Sequence, residues 1–524
     1  MIKLENISIE TLKGRKLIDD LSFSLNKGDK LAIIGEEGNG KSTLLKTILN
    51  RKDVETYCVV NGKVISDSKV FGYLEQKLDA RWNNFLVIDY FLKSDLDSEP
   101  NYDFYENFHN LENLLKSFNF KIEYLENGQQ IKNLSGGEKV KIQLAKILLQ
   151  QPDILLLDEP TNDLDIEMLN ILQKVINEFN GIVIFISHDE VLLENTANVI
   201  LHIEQLIRKT KPKTTFKRTS YANYVQERKQ HIQHQTQIAY SERREQTKKE
   251  EILRQIKQKV ENALVASKKD PSAGRIVAKK MANVVSLEKK YENKEMTEIP
   301  DVEESINILI DTTITIPKQK EVLKLNIKEL KAGDKILANN VNLNIFGPEK
   351  IAIVGNNGCG KTTLIKRIVE TLKSVKGLKV GYFSQNYYDI LDYDMTPIEA
   401  LTTSNMKYNP RTFLGSLKFT AEEMEHKIFD LSEGQKAKVA LLKIVVDKNN
   451  ILVLDEPTRN LSPLSNPVIR QLFTDYKGGI ITVSHDRKFI KDVCSKVYKL
   501  DKSGLHSVSI DKLWYKTRLG EFFN

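Results

Sequence analysis

Cysteine is nearly missing from the 524 residues: there are three, Cys58, Cys359 and Cys494, with no Cys-x-x-Cys pair. An odd, scattered set of this kind builds neither a disulfide framework nor a zinc site. No stretch approaches the ~18–20 consecutive apolar residues that a bilayer span needs. The start, Met1-Ile2-Lys3-Leu4-Glu5-Asn6, alternates charged and apolar residues and holds no signal-peptide core. These absences lead us to expect a cytoplasmic protein with no membrane segment and no metal cluster. What is present is ample for folding: 40% hydrophobic residues for sizeable cores and 28% charged residues for a soluble surface. The length corresponds to roughly three to four domains at ~150 residues each.

Charge is unevenly spread. Between Ile207 and Lys294, 88 residues carry 23 lysines and arginines against nine acidic residues, a net of +14. The whole chain is +7, so the other 436 residues are −7. A mildly acidic body with a strongly basic middle is the footprint of a polyanion partner, although a solvated charged helix gives the same count.

The chain repeats itself. Gly35-Glu36-Glu37-Gly38-Asn39-Gly40-Lys41-Ser42-Thr43 returns as Gly355-Asn356-Asn357-Gly358-Cys359-Gly360-Lys361-Thr362-Thr363. Leu134-Ser135-Gly136-Gly137-Glu138 returns as Leu431-Ser432-Glu433-Gly434-Gln435, Asp158-Glu159-Pro160-Thr161 as Asp455-Glu456-Pro457-Thr458, and Ser187-His188-Asp189 as Ser484-His485-Asp486. The last three pairs share one offset of 297 and the first has 320, so copy one holds 23 extra residues before its Leu-Ser-Gly-Gly-Glu. Eleven precede Gln76 and twelve follow it, around the acidic, aromatic stretch Ser94–Asn110. Short apolar runs (Leu31–Ile34, Ile154–Leu157, Ile182–Ile186, Ile351–Val354, Ile451–Leu454, Ile480–Val483) read as buried parallel strands. Periodic stretches such as Glu138–Leu149 lie between them and predict an α/β fold.

Each motif has a chemical reason. A Gly-x4-Gly-Lys-Ser/Thr loop between a strand and a helix wraps phosphate in backbone N–H groups, over Gly35, Gly38, Gly40 and Thr43 in copy one and Gly355, Gly358, Gly360 and Thr363 in copy two. Lys41 and Lys361 reach the β/γ oxygens of a nucleotide, and Ser42 and Thr362 offer a hydroxyl to Mg²⁺. Asp158 and Asp455, ending strands, are placed to hold Mg²⁺ through water; Glu159 and Glu456 follow as groups that polarise the attacking water. His188 and His485, 30 residues beyond each aspartate, read as sensors of the γ-phosphate. Gln76 and Gln385, each closing a Gly-Tyr-x-x-Gln segment, read as contacts to Mg²⁺ and water.

This order of motifs resembles the ATP-binding cassette (ABC) ATPases over nearly all of both copies. The resemblance implies two ATPs between facing cassettes: Ser135-Gly136-Gly137 completes the site built on Lys361, and Ser432-Glu433-Gly434 the site built on Lys41. Copy two departs from the family pattern at Glu433, which replaces a glycine, and at Arg459-Asn460-Leu461-Ser462, which lacks the final aspartate of Asn162-Asp163-Leu164-Asp165. A carboxylate at Glu433 near the γ-phosphate would slow hydrolysis at the Lys41/Glu159 site relative to the Lys361/Glu456 site. The family's adenine-stacking aromatic has no clear counterpart near Lys13 or Ala332.

In the basic segment, Leu253, Ile256, Val260 and Leu264 recur at helical spacing. Lys268-Lys269-Asp270-Pro271-Ser272-Ala273-Gly274-Arg275 reads as a turn, and Val277, Met281, Val284, Leu287 and Tyr291 give a second stripe. The pattern predicts an antiparallel helical hairpin whose first helix, from about Tyr221 to Lys268, is roughly 70 Å long. Basic residues Arg243, Arg244, Lys248, Lys249, Arg254, Lys257, Lys259, Lys279 and Lys280 lie along it, and Lys268, Lys269, Ser272 and Arg275 form an RNA-contacting tip. The expected domains are a cassette over 1–206, the hairpin linker over 207–300 and a second cassette over 301–524.

Tandem cassettes joined by such a linker resemble the ABC-F translation factors. That resemblance implies binding at the E site of the 70S ribosome, with contacts to rRNA and P-site tRNA, by a monomer whose two cassettes pair with each other. The short tip and Thr458–Pro463 look most like members that protect ribosomes from phenicol and oxazolidinone antibiotics. A housekeeping factor relieving stalled ribosomes is the alternative, with a transporter ATPase subunit and a DNA-processing ATPase as more distant ones. No long insertion follows Gln76, where some family members carry an arm to the ribosomal stalk.

Overall fold

The computed structural model describes residues 1–68, 70–76, 78–101, 108–161, 164–206, 210–266, 271–292, 297, 316–402 and 409–510, the side chains of 264–266, 271–278 and 290–292 excepted. The chain forms two compact units, Met1–Tyr221 with Glu303–Asn524, and Ala222–Val302.

In the first unit the repeat is realised as two α/β cassettes. Copy one contains β1 (Ile2–Thr11), β2 (Lys16–Leu25), β3 (Lys30–Ile34), β4 (Cys58–Ser66), β5 (Phe71–Leu74), β6 (Ile154–Asp158), β7 (Ile182–Ile186), β8 (Val199–Leu206) and β9 (Lys211–Lys217). Copy two contains β10 (Glu321–Ala332), β11 (Lys335–Phe346), β12 (Lys350–Val354), β13 (Val380–Phe383), β14 (Ile451–Asp455), β15 (Gly479–Val483), β16 (Lys496–Asp501) and β17 (Gly504–Val508). Each cassette has a six-stranded sheet, in the order β5-β6-β7-β3-β8-β9 or β13-β14-β15-β12-β16-β17. All neighbours are parallel except the last hairpin. The central strands are mostly apolar and fully buried because helices cover one face and a helix with the antiparallel strands covers the other.

The copies differ where the sequence differs in length. The helix after the first phosphate loop stops at Leu49, Asn50 caps a short helix Arg51–Val54, and β4 then joins the antiparallel sheet β2-β1-β4. In copy two the corresponding helix runs Lys361–Lys373, and β10 and β11 pair alone among the described residues. The eleven extra residues before Gln76 thus account for the third strand. Of the later insertion, 102–107 lie outside the described residues, and a helix Phe108–Ser117 follows, burying Leu111 and Leu115.

The hairpin begins with one helix of 46 residues, Tyr221–Ala266, about 69 Å at 1.5 Å per residue. Its partner, Pro271–Glu292, starts earlier than the sequence suggests: Pro271–Arg275 is helical, not turn. Proline suits a first helical turn, where its fixed φ is already right and its missing N–H is not needed. Ser272 and Arg275 therefore sit in the opening turns of this helix, while Lys268 and Lys269 lie outside the described residues. The seam is also narrower than expected and shifted. Leu253 and Val284 are buried, but Ile256 and Leu287 are 43% and 42% exposed. Lys257, between the two helices, pairs instead with Glu288 at 2.9 Å. Among the described residues no helix is long and apolar enough to cross a membrane.

Candidate functional site

Strands β3 and β12 run straight into the two glycine loops. A Cβ at Gly35 would lie 2.3 Å from the Ile203 carbonyl oxygen, and one at Gly355 2.5 Å from that of Leu500, so a side chain has no room beside the neighbouring strand. Gly40 (φ 89°) and Gly360 (φ 101°) turn through the left-handed region to start the following helices. Lys41 is buried and donates to the carbonyls of Gly35 (3.0 Å) and Glu36 (2.9 Å); Lys361 does the same with Gly355 (2.8 Å) and Asn356 (3.1 Å). Burial lowers the Lys41 ammonium pKa against the pull of Glu159, Glu37 and Asp158.

Beside each loop an aspartate ends the buried strand. The Ser42 hydroxyl donates to Asp158 (2.8 Å), and Thr362 is hydrogen-bonded to Asp455, which also accepts from Gln385 Nε2 (3.2 Å). Gln76 instead donates to Glu159 (2.8 Å). Burial raises both aspartates, and Asp455 Oδ2 lacks a hydrogen-bond partner. The next residues, Glu159 (φ 48°) and Glu456 (φ 53°), are held in the left-handed region, a strain of about 1–3 kcal/mol each that concentrates at functional sites. His188 Nδ1 donates to the Leu461 carbonyl (2.7 Å), and its Nε2 stands 3.4 Å from Glu159. In copy two the His485 N–H donates to Glu456 (3.2 Å), and the imidazole lies 3.6 Å from the same carboxylate. Desolvation pushes Glu456 up to about 8, and His485 down to about 3 with help from Lys361. A neutral imidazole thus faces a carboxyl whose proton affinity burial has raised.

Ser135 and Ser432 open the helices Gly136–Leu149 and Glu433–Val446. Each forms a capping box with the residue three ahead, Glu138 or Gln435, so the last position of both motifs has a structural task. Across the cassettes, Ser135 and Gly136 line a cavity of about 680 Å³ together with Lys361, Thr362, Thr363, Glu456 and His485. Gly137 is buried behind them. Asp165 accepts from the Asn357 N–H (3.3 Å). On the other side Ser432 and Gly434 line a cavity of about 280 Å³ with Glu37, Gly38 and Asn39. Ala332 and Leu337 line the larger cavity and Arg15 the smaller, so aliphatic groups and a guanidinium stand near where a stacking ring was sought.

Two expectations change. Glu433 turns to Lys436 (3.0 Å), is 58% exposed and does not line the cavity, so the carboxylate at that turn belongs to another residue. Glu37 reaches it, accepting from the Gly434 N–H at 2.7 Å. Ser462, in place of an aspartate, bonds Ser465 (2.9 Å) and leaves the helix Asn466–Asp475 without a side-chain cap, whereas Asp165 caps its helix at Met168 (2.9 Å). Asn162 and Asp163 lie outside the described residues.

The motifs also gave no warning of a buried ion cluster joining the copies. Arg470 binds Glu190 with both terminal nitrogens, Arg487 bonds Asp189 and Asn170 (3.1 Å each), and Lys488 reaches Glu190 (3.2 Å). The only signal was that the residue after His-Asp is Glu190 in one copy and Arg487 in the other.

The family model described as "ABC transporter" matches residues 18–162 and 338–459, both loops and both Asp-Glu pairs included. The chain belongs to the ABC transporter family. This ABC protein is 28% identical over 564 residues to ABC transporter F family member 5 of Arabidopsis thaliana, covering 98% of the chain and 77% of the relative. It is 27% identical over 522 residues to the ATP-binding protein Uup of Buchnera aphidicola, with 96% and 81% covered. Among solved structures it resembles the complex of the archaeal ribosomal stalk protein aP1 with the ribosome recycling factor aABCE1. That match has a TM-score of 0.58 at 16% identity, covers 96% of this chain and 90% of that one, and speaks for the fold. The ABC protein is an ATPase, and ATP is its ligand.

Proposed function

We propose that this ATPase is an ABC-F ribosome-binding factor that acts at the E site and the peptidyl-transferase region of the 70S ribosome and displaces ribosome-targeting antibiotics. The observation that carries it is the hairpin: a 46-residue helix and its partner, with Arg243, Arg244, Lys248, Arg254, Lys259, Lys279 and Lys280 all exposed, in the linker of a tandem-cassette chain. A transporter subunit has no use for such a rod, whereas folded RNA is recognised by shape and phosphate contact along its length. The F family member of Arabidopsis thaliana aligns with 98% of this chain, the linker included. Protection of the phenicol–oxazolidinone kind rests on the short tip and the Thr458–Pro463 segment.

In this proposal Lys41 and Lys361, with the glycine loops and Thr43 and Thr363, grip the phosphates, while Ser135-Gly136-Gly137 and Ser432–Gly434 close on them from the opposite cassette. Ser42, Gln76 and Asp158, and Thr362, Gln385 and Asp455, would hold Mg²⁺, which neutralises charge on the transferring phosphoryl group when bound. The donor set fits: one carboxylate, one hydroxyl and one amide suit a hard, water-retaining cation, and the unpartnered Asp455 Oδ2 leaves an oxygen free. No group of three or more His, Cys, Asp or Glu side chains among the described residues is placed to make an all-protein cage. Glu456 polarises the attacking water, and His485 contacts the γ-phosphate while steering that carboxylate. ATP closes the cassettes and selects the ribosome-bound form; hydrolysis reopens them and times release.

The test is co-sedimentation of the Glu159→Gln/Glu456→Gln chain with 70S ribosomes, with and without ATP. Retention in ATP alone is expected, and a survey of drugs would then separate protection from relief of stalling. Absence of retention, with ATP still bound, sinks the ribosomal proposal. Charge reversal at Lys268, Lys269 and Arg275 in the chain with Glu159 and Glu456 intact is expected to abolish the drug effect while sparing ribosome-free ATP turnover.

A further inference from the structure

The two sites differ at one loop position whose consequence reaches across the cassettes. Glu37 and Asn357 are counterparts at the 320 offset that relates the phosphate loops. Asn357 is neutral, and its backbone N–H is taken by Asp165 of copy one (3.3 Å). The turn of Ser135 and Gly136 opposite it opens on the 680 Å³ cavity that also reaches Lys361, Thr362 and Glu456. Glu37 has a carboxylate in that place and directs it to the opposite cassette, where its Oε2 accepts from the Gly434 N–H at 2.7 Å. The packing is close: a Cβ on Gly434 would lie 3.2 Å from that oxygen. The neighbouring Glu36 pairs with Lys418 of copy two (3.4 Å), holding this edge of the loop against the same cassette.

Gly434 lies in the first turn of a 14-residue helix capped by Ser432. The free N–H groups and the dipole of such a turn make a seat for one anionic group. By the reading above, the terminal phosphate of ATP on Lys41 would take that seat. A carboxylate already occupies it, and Glu433, the other candidate, faces Lys436. A cavity of about 280 Å³ beside this turn is lined by Glu36, Glu37, Glu423 and Asp430 together with Arg15 and Lys438.

We propose that the Lys41 site takes a nucleoside diphosphate when the cassettes are closed, the Glu37 carboxylate standing in for the terminal phosphate of a triphosphate. The Lys361 site, with Asn357 in the same place, takes ATP and performs the hydrolysis. The closed chain then holds one molecule of each nucleotide, and closure depends on a single ATP. The inference rests on the proposed completion of the Lys41 site by Ser432–Gly434.

The experiment uses the full-length Glu159→Gln/Glu456→Gln chain, in which neither site converts one nucleotide into the other. After incubation with equal concentrations of ATP and ADP and rapid desalting, the bound nucleotides are extracted and counted. About one ADP for each ATP is expected with Glu37 intact. Adding Glu37→Asn removes the stand-in charge and is expected to shift the ADP-to-ATP ratio at that site by roughly tenfold or more toward ATP, one like-charge contact having been relieved. The reciprocal Asn357→Glu is expected to bring ADP into the Lys361 site, a gain that misfolding cannot imitate. Two ATPs per chain with Glu37 intact, or a ratio indifferent to both substitutions, would overturn the inference. Nucleotide retained by the Lys361 site alone would bring down the completion of the Lys41 site itself, and the inference with it.

Discussion

Replacing Glu456 by glutamine is expected to lower steady-state ATP turnover about a hundredfold or more, and replacing Glu159 to lower it less than about tenfold. The two glutamates share a strained left-handed backbone, a buried aspartate before them and a histidine beside them. They differ in what they are free to do. Glu159 is engaged by Gln76 at 2.8 Å, and its histidine is drawn to the Leu461 carbonyl of the other cassette. Glu456 has one carboxylate oxygen without a hydrogen-bond partner, and burial raises its proton affinity. Glutamine keeps the volume and still accepts from the His485 N–H, but it cannot take a proton from water. Phosphate release by the full-length chain measures the ranking. A larger loss from Glu159→Gln would reverse the assignment of the working site.

The buried cluster between copies carries the second large expectation. Arg470, Arg487 and Lys488 come from copy two, and Asp189, Glu190 and Glu194 from copy one. These pairs each set a cation of copy two against an anion of copy one, while Asp492 of copy two also pairs with Arg470 at 3.1 Å. Arg470→Ala leaves Glu190 and its neighbours buried with too little positive charge, a loss of about 3–5 kcal/mol. Since closure by ATP must supply the difference, the ATP concentration for half-maximal closure is expected to rise roughly a hundredfold or more. Distance reporters on the two cassettes would read it. Arg470→Ala with Glu190→Ala is expected to recover part of the loss, because neither charge is then left alone. Equal effects of the double and single changes would mean that the pair does not hold the cassettes together.

The parts written in local sequence were legible there. A Gly-rich loop needs glycine for reasons of backbone space, and the carbonyls of Ile203 and Leu500 supply them. Six apolar runs became the central strands with ends moved by a residue or less, since fully buried parallel strands tolerate little else. The 46-residue helix was also visible, in apolar residues recurring at helical spacing from Leu253 onward. What escaped depends on which surface meets which. Glu433 drew attention as the odd residue in a motif, but a first-turn helical side chain pairs easily with the residue three ahead, and Lys436 is there. Glu37 looked like one of the interchangeable positions of the loop until the opposite cassette gave it a partner. In the hairpin, Ile256 is exposed while Lys257 pairs with Glu288 of the other helix, which periodicity on one strip of sequence does not register.

The row of exposed cations from Arg243 to Lys280 has a consequence beyond attraction. A nucleic acid carries a condensed sheath of small counterions, and each lysine or arginine seated on a phosphate sets about 0.7–0.9 of one free. Seven such contacts would release roughly five to six ions, so the grip would be driven largely by the entropy of departing solvent ions rather than by the protein's own contacts. Its strength would fall by roughly three orders of magnitude between 50 mM and 200 mM monovalent salt. The rod's hold on an RNA target would thereby be set as much by the ionic composition around it as by the sequence along it.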